Sequence, residues 1–172
     1  MINWKKLNQD IENSKRIVLS THMSPDGDGL GSASAMHHYI SSLGLECRII
    51  QISKFPDQYN FLNKDNIIET YDATMHDQWI EKADLALIFD VGAYHRLGPL
   101  GDVLSANQIN VINIDHHPDL GDERFGENYI NIQAAATGEM VYDFFEENNI
   151  KMNNEIASGI YTAVMTDTGS FR

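Results

Sequence analysis

The sequence predicts an α/β fold, a parallel β-sheet flanked by helices on both faces, and two observations carry that prediction. Short runs rich in Ile, Val and Leu recur along the 172 residues, nearly continuous in apolar character as strands covered on both faces are. Helical patterns fall between these runs, so strand and helix alternate, and that is the βαβ signature of a parallel sheet.

From the N-terminus, MINWKKLNQDIENSKR is polar and charged, without an apolar stretch of signal-peptide length. RIVLSTH (Arg16–His22) is the first strand. DGLGSASAMHHYISSLG follows as a helix of apolar or small residues at helical spacing, stopped by Gly44. ECRIIQI (Glu46–Ile52), ADLALIFDVG (Ala83–Gly92) and NVINIDHH (Asn110–His117) are three more strands. Residues 53–82, with Pro56 and several Asn and Asp, are too weakly periodic to carry an assigned element. ATGEMVYDFFEENN repeats Met140, Val141, Phe144 and Phe145 on a helical face, and NNEIASGIYTAVMTD is a last helix with Asn153 or Asn154 as its N-cap. The chain closes on TDTGSFR, a glycine turn with no closing element, so a domain cut at its C-terminal end is expected.

Composition narrows the functional classes. With 42% apolar residues the chain buries one real core, and its length favours a single domain. No run approaches the roughly 18 apolar residues that would span a bilayer, so we expect a cytoplasmic protein with no membrane partner. The single Cys47 excludes an internal disulfide and reads as a buried, inert thiol. Lys and Arg number 12 against 25 Asp and Glu, a net charge of −13 without a basic cluster, which argues against gripping long duplex nucleic acid by its phosphates. Bound cations would invert the local field and still admit a phosphorylated substrate.

In open parallel sheets, ligands bind beyond the carboxyl ends of the strands. The unusual residues of this sequence stand there. The first strand runs into His22, Asp26 and Asp28; the third ends at Asp90; the fourth ends at Asp115, His116 and His117; Asp167 follows the last helix. Carboxylates and imidazoles without cysteine suit a hard or borderline divalent ion such as Mn²⁺, with Mg²⁺, Co²⁺ or Fe²⁺ as substitutes. Four of these aspartates and two of the histidines already exceed the needs of one tetrahedral ion and fit two ions about 3.5–4 Å apart sharing a carboxylate.

Competing readings fit less well. An EF-hand loop beginning at Asp26 would need Glu at its twelfth position, where His37 stands. The turn DGDGLGS does not match the dinucleotide pattern G-x-G-x-x-G, and its two aspartates would repel a bare pyrophosphate. Asp115-His116-His117 alone is a weak signal. His37 and His38 lie mid-helix and read as packed or surface residues, and His76 and His95 read as solvated, although His95 and Arg96 follow the Asp90 turn and would line a cleft.

Taken in order, HMSPDGDGLGS, FDVGAYHRLG, NIDHHPD and TDTGSF resemble the four motifs of the DHH phosphoesterase superfamily, most closely its nanoRNase and pAp-phosphatase branch. The resemblance runs from about Lys15 to Arg172 and implies that the chain is the N-terminal catalytic domain (1–172), without the family's second, substrate-binding domain. It implies two Mn²⁺ per protomer, one held by His22, Asp26 and Asp90 and the other by Asp28, Asp90, His116 and Asp167, with Asp90 bridging. His117 would face the scissile phosphate, and Asp115 would orient the histidines; Arg96, by its place after the Asp90 turn, is expected with His117 to bind substrate.

The function so implied is hydrolysis of short oligonucleotides or 3′-phosphoadenosine 5′-phosphate (pAp) by a two-metal mechanism, with a water or hydroxide between the ions as nucleophile. Rivals are a manganese pyrophosphatase or a cyclic-dinucleotide phosphodiesterase of the same superfamily, a Rossmann-type nucleotide-binding protein, and a catalytically inactive nucleotide-binding module. Oligomeric state stays open, a homodimer included.

Overall fold

The computed structural model describes residues 2–172. Six parallel strands form one sheet: β1 (Arg16–Thr21), β2 (Glu46–Gln51), β3 (Ile68–Thr70), β4 (Leu85–Phe89), β5 (Asn110–Asp115) and β6 (Glu127–Ile130), in the order β3-β2-β1-β4-β5-β6. Six α-helices connect or flank them: α1 (Trp4–Asn13), α2 (Gly27–Ser42), α3 (Ala73–Ile80), α4 (Gly98–Ala106), α5 (Thr137–Glu147) and α6 (Asn154–Asp167). Two 3₁₀ segments, Asp57–Asn63 and Tyr94–Leu97, complete the connections.

Alternation along each strand divides the core in two. Ile17, Leu19, Leu87, Phe89, Ile112 and Ile114 face α1, α2, α5 and α6. Val18, Ile50, Ala86, Ile88 and Val111 face α3 and α4. Both faces are therefore covered, which is why these strands read as continuous apolar runs and not as alternating ones.

The four strands expected from sequence all form, each ending one to three residues before its apolar run does. The Asn153 side chain caps α6 by accepting from Ile156 N–H, and Gly44 takes φ +77° just past α2. Residues 53–82, left without an element, hold a 3₁₀ segment, the edge strand β3 and α3. Helix α1 had not been expected; its Trp4, Leu7 and Ile11 are buried along one stripe of an otherwise charged segment.

The arrangement of α2 fixes the rest of the site. Every residue from Gly27 to Met36 is buried, because the helix lies on β1 and β2 with one side and takes α6 on the other. α6 packs on α2 and α5 and so forms an outer layer. Among the described residues no helix is long and apolar enough to cross a membrane.

Candidate metal centre

β1, β4 and β5 are neighbours, so their carboxyl ends deliver His22, Asp90 and the Asp115–His117 triplet to one edge of the sheet. The Nδ1–H of His22 donates to the Met23 carbonyl at 2.6 Å, which leaves Nε2 without a proton in the neutral ring and aims it at Asp26 Oδ2 and Asp90 Oδ2, each 3.6 Å away. Asp26 caps α2 through Oδ1, accepting from the N–H groups of Asp28 at 3.0 Å and Gly29 at 3.3 Å. The helix N-terminus that a dinucleotide phosphate would use is thus already occupied by a carboxylate, against the Rossmann alternative.

Asp28 is fully buried and spends both oxygens on the first turn of α5, accepting from Thr137 N–H at 2.7 Å and Gly138 N–H at 2.8 Å. Asp90 takes a left-handed backbone, φ +56°, that turns its side chain inward. Its Oδ2 faces His22, while Oδ1 lies 3.6 Å from His116 Nε2 and 3.3 Å from His117 Nδ1. Asp115 accepts from Gly92 N–H at 2.6 Å through Oδ2, and from the backbone and ring N–H of His117 at 2.9 and 2.8 Å through Oδ1. Asp167, the last residue of α6, brings Oδ2 to 3.4 Å from His116 Nε2.

Crowding of carboxylates and imidazoles shifts their proton affinities. Burial opposes a charge on His22, but Asp26 and Asp90 outweigh it and push its pKa up to about 10. His116 and His117 are each pushed up to about 9, first by Asp90, with burial opposing. Burial also opposes ionisation of Asp90, yet the three histidines hold its carboxyl well below the usual range. Asp28 moves the other way, up to about 8, because it is buried beside the Asp90 charge. The carboxylates demand a positive charge, which protons on the histidines or a bound cation would supply.

Two buried atoms at the centre of the cluster, Asp90 Oδ1 and His116 Nε2, have no hydrogen-bond partner. Orphaned buried polar atoms are costly. Three overlapping groups, His22–Asp26–Asp90, Asp28–His116–Asp167 and Asp90–His116–His117, each offer ligand atoms within 4.8 Å of one another. Oxygen and imidazole donors with two orphans facing each other fit a divalent cation of the Mn²⁺ or Mg²⁺ type. All eight acids and histidines singled out in the sequence converge here.

Residues 16–164 match the model of the DHH family, N-terminal domain. The chain belongs to the DHH family. A Thermus thermophilus protein named bifunctional oligoribonuclease and PAP phosphatase NrnA is 29% identical over 174 residues, matched across 98% of this chain and 49% of its own length. An Enterococcus faecalis protein named probable manganese-dependent inorganic pyrophosphatase is 22% identical over 159 residues, covering 91% of this chain and 49% of that protein. The crystal structure of an exopolyphosphatase-related protein from Bacteroides fragilis superposes with a TM-score of 0.91 at 28% identity, over 98% of this chain and 50% of that one. This DHH domain spans about half the length of the curated relatives it matches.

Three expectations change in this DHH domain. Asp115 holds His117 alone; the ring of His116 is oriented by the Ala134 carbonyl, 3.3 Å from Nδ1. His76 is buried, not solvated, because Nδ1 packs on the Asp72 backbone and Nε2 reaches Glu69 at 3.3 Å. Cys47 is only partly buried, though it packs against the core and burial raises its pKa. Arg96, one turn beyond Asp90, anchors Nη1 on the Val91 carbonyl at 3.0 Å. The Met23 and Ala134 carbonyls and the Thr137 and Gly138 amides were missed from sequence, since backbone groups leave no mark in residue identity.

Proposed function

We propose that this domain is the catalytic part of a Mn²⁺-dependent phosphoesterase that hydrolyses short oligonucleotides or pAp. The observation that carries the reading is the Asp90 carboxylate standing between His22 and His116, one oxygen toward each, at the focus of unpartnered buried atoms. The names of the relatives from Thermus thermophilus and Enterococcus faecalis support a phosphate substrate and manganese.

His22, Asp26 and Asp90 would hold one cation, and Asp28, Asp90, His116 and Asp167 the other. Bound there, paired cations would acidify water to a nucleophile at neutral pH and offset charge on the phosphoryl oxygens. Asp28 keeps a lone pair on each oxygen for this purpose, since a carboxylate oxygen can accept twice. Asp115 fixes His117 with Nδ1–H pointing inward, and the half-exposed ring presents Nε2 outward, where it would bond a phosphoryl oxygen or pass a proton to the leaving oxygen. The guanidinium of Arg96 would bind a phosphate oxygen beside it.

The test is hydrolysis of pAp, a diribonucleotide and pyrophosphate by the purified chain, with Mn²⁺ and with EDTA. Mn²⁺-dependent release of phosphate from pAp or of mononucleotide from the dinucleotide is expected. Preference for pyrophosphate would favour the pyrophosphatase reading, which the Enterococcus faecalis relative supports, and binding without turnover the inactive module.

A further inference from the structure

We propose that Gly159 is a positioning residue for the metal centre, because its backbone contact with Gly31 sets how closely α6 approaches α2 and thereby where Asp167 stands. The inference rests on the two-cation reading above.

Seven of the eight clustered acids and histidines are carried by strand ends or by the head of α2. Asp167 is different, since α6 is held at the site chiefly by its packing on α2 and α5. That packing is backbone on backbone. A Cβ built on Gly159 would fall 2.5 Å from the Gly31 carbonyl oxygen and 3.0 Å from Ala35 N, and one on Gly31 would fall 2.3 Å from the Gly159 carbonyl oxygen. Real Cβ atoms do not come so near to main-chain atoms, which cannot rotate away as a side chain can, so any side chain at 159 forces the helices apart. Nearer the site, a Cβ on Gly27 would meet Thr166 Cγ2 at 2.5 Å, and the Thr166 hydroxyl is already fixed on the Thr162 and Ala163 carbonyls. Asp167 is the next residue. A shift of α6 as a rigid helix would therefore move its carboxylate too.

What the shift disturbs is marked by an independent observation. His116 Nε2, buried and unpartnered, is 3.4 Å from Asp167 Oδ2 and 3.8 Å from Asp28 Oδ2. A cation shared by these three needs all of them near metal-ligand distance, so an ångström of displacement at Asp167 removes it from the set without touching His22 or Asp26. The glycine therefore bears on one ion of the two.

The experiment is Mn²⁺ titration of Gly159→Ala, followed by calorimetry and by the electron paramagnetic resonance signal of free Mn²⁺, with circular dichroism in EDTA to establish folding. Wild type should bind two ions; Gly159→Ala should keep one and weaken the other about 10–100-fold, as losing support for a ligand typically does. Asp167→Asn should weaken the same ion, and the double variant should bind no worse than Asp167→Asn alone. Asp167→Glu, longer by one methylene, should weaken binding in the wild-type background and restore part of it in Gly159→Ala. Gly44→Ala, strained by its left-handed backbone but meeting nothing within 4 Å at the far end of α2, should leave the titration of the folded chain unchanged. If Gly159→Ala does not fold, Ala35→Ser adds one atom at the same crossing and should weaken the same ion several-fold. A folded Gly159→Ala or Ala35→Ser that binds both ions like wild type, or losses that add in the double variant, overturns the inference alone. A wild-type chain that binds no Mn²⁺ overturns the metal-centre reading itself.

Discussion

Asp90 Oδ1 and His116 Nε2 face each other 3.6 Å apart, both buried and neither hydrogen-bonded. With its other oxygen Asp90 faces His22, so one carboxylate joins the two halves of the cluster. Each Mn²⁺ bound should therefore stabilise the fold by mass action, about 2.7 kcal/mol per ion at a concentration 100 times its dissociation constant. For a chain of this length that is a rise in melting temperature of roughly 5–10 °C for each ion, reversed by EDTA. In Asp90→Asn the rise should vanish, and in His22→Ala part of it should remain. A full rise in Asp90→Asn would remove Asp90 from the centre.

Asp115 stands behind this centre. It touches the N–H of Gly92 and both N–H groups of His117 but faces neither orphan, so Asp115→Asn should bind Mn²⁺ with unchanged stoichiometry and lose about 10–100-fold in turnover. Asp90→Asn should lose more. Equal losses in two folded variants would mean that Asp90 has no privileged place.

The strands of the sheet interior were legible because strands buried on both faces carry little but apolar residues, and their sheet order then gathers the polar residues at their ends. The edge strands were not: Glu127–Ile130 buries only Tyr129 fully, and Ile68–Thr70 only Ile68, too little for a pattern. Helix α1 shows its apolar residues at 4, 7 and 11, a helical spacing overshadowed by the charges between them. His76 was misjudged because its partners, the Asp72 backbone and Glu69, belong to a turn and a strand that the weak periodicity of 53–82 hides. At the site, side-chain identities were legible and their hydrogen bonds were not: Asp28 looks like a ligand in the sequence, and nothing there shows that it also anchors the start of α5.

His37 gives a pH dependence separate from the metal centre. Its Nδ1 is buried without a geometric hydrogen-bond partner, and burial, with the neighbouring His38 adding and the Cys47 backbone and then Glu69 opposing, pushes its pKa down to about 4. An unfolded histidine titrates near 6.5, so between about pH 6.5 and 4 the unfolded chain binds the extra proton and stability falls as pH falls. With allowance for partial solvation the loss is on the order of 1–2 kcal/mol by pH 4.5. Urea unfolding in EDTA should show a shallower decline across this range for His37→Gln than for wild type. Parallel declines would place the titration elsewhere.

A substitution at Arg96 would separate recognition from chemistry. Its Nη1 lies 3.7 Å from the point where a side chain at Gly92 would begin, and the His117 ring lies 3.9 Å from the same point, so guanidinium and imidazole flank the Gly92 turn together. One of the five guanidinium N–H groups is committed to the Val91 carbonyl, and the others would be left to meet a phosphate under the proposed function. In a chain of net charge −13 such a cation matters more than it would on a basic surface. A charge-assisted hydrogen bond is worth about 1.5–3 kcal/mol, so Arg96→Ala should raise KM for pAp, which carries a second phosphate, by roughly 10–100-fold. Bis-p-nitrophenyl phosphate, with one phosphate and a good leaving group, should lose far less. The Arg96 carbonyl, which accepts from Met23 N–H, survives the substitution and keeps the His22 loop in place, so the contrast between substrates reports the guanidinium. Arg96→Lys should recover part of the loss, since an ammonium keeps the charge but not the planar fork. If KM for the two substrates rises equally, the side chain supports the Val91–Gly92 turn and does not bind phosphate.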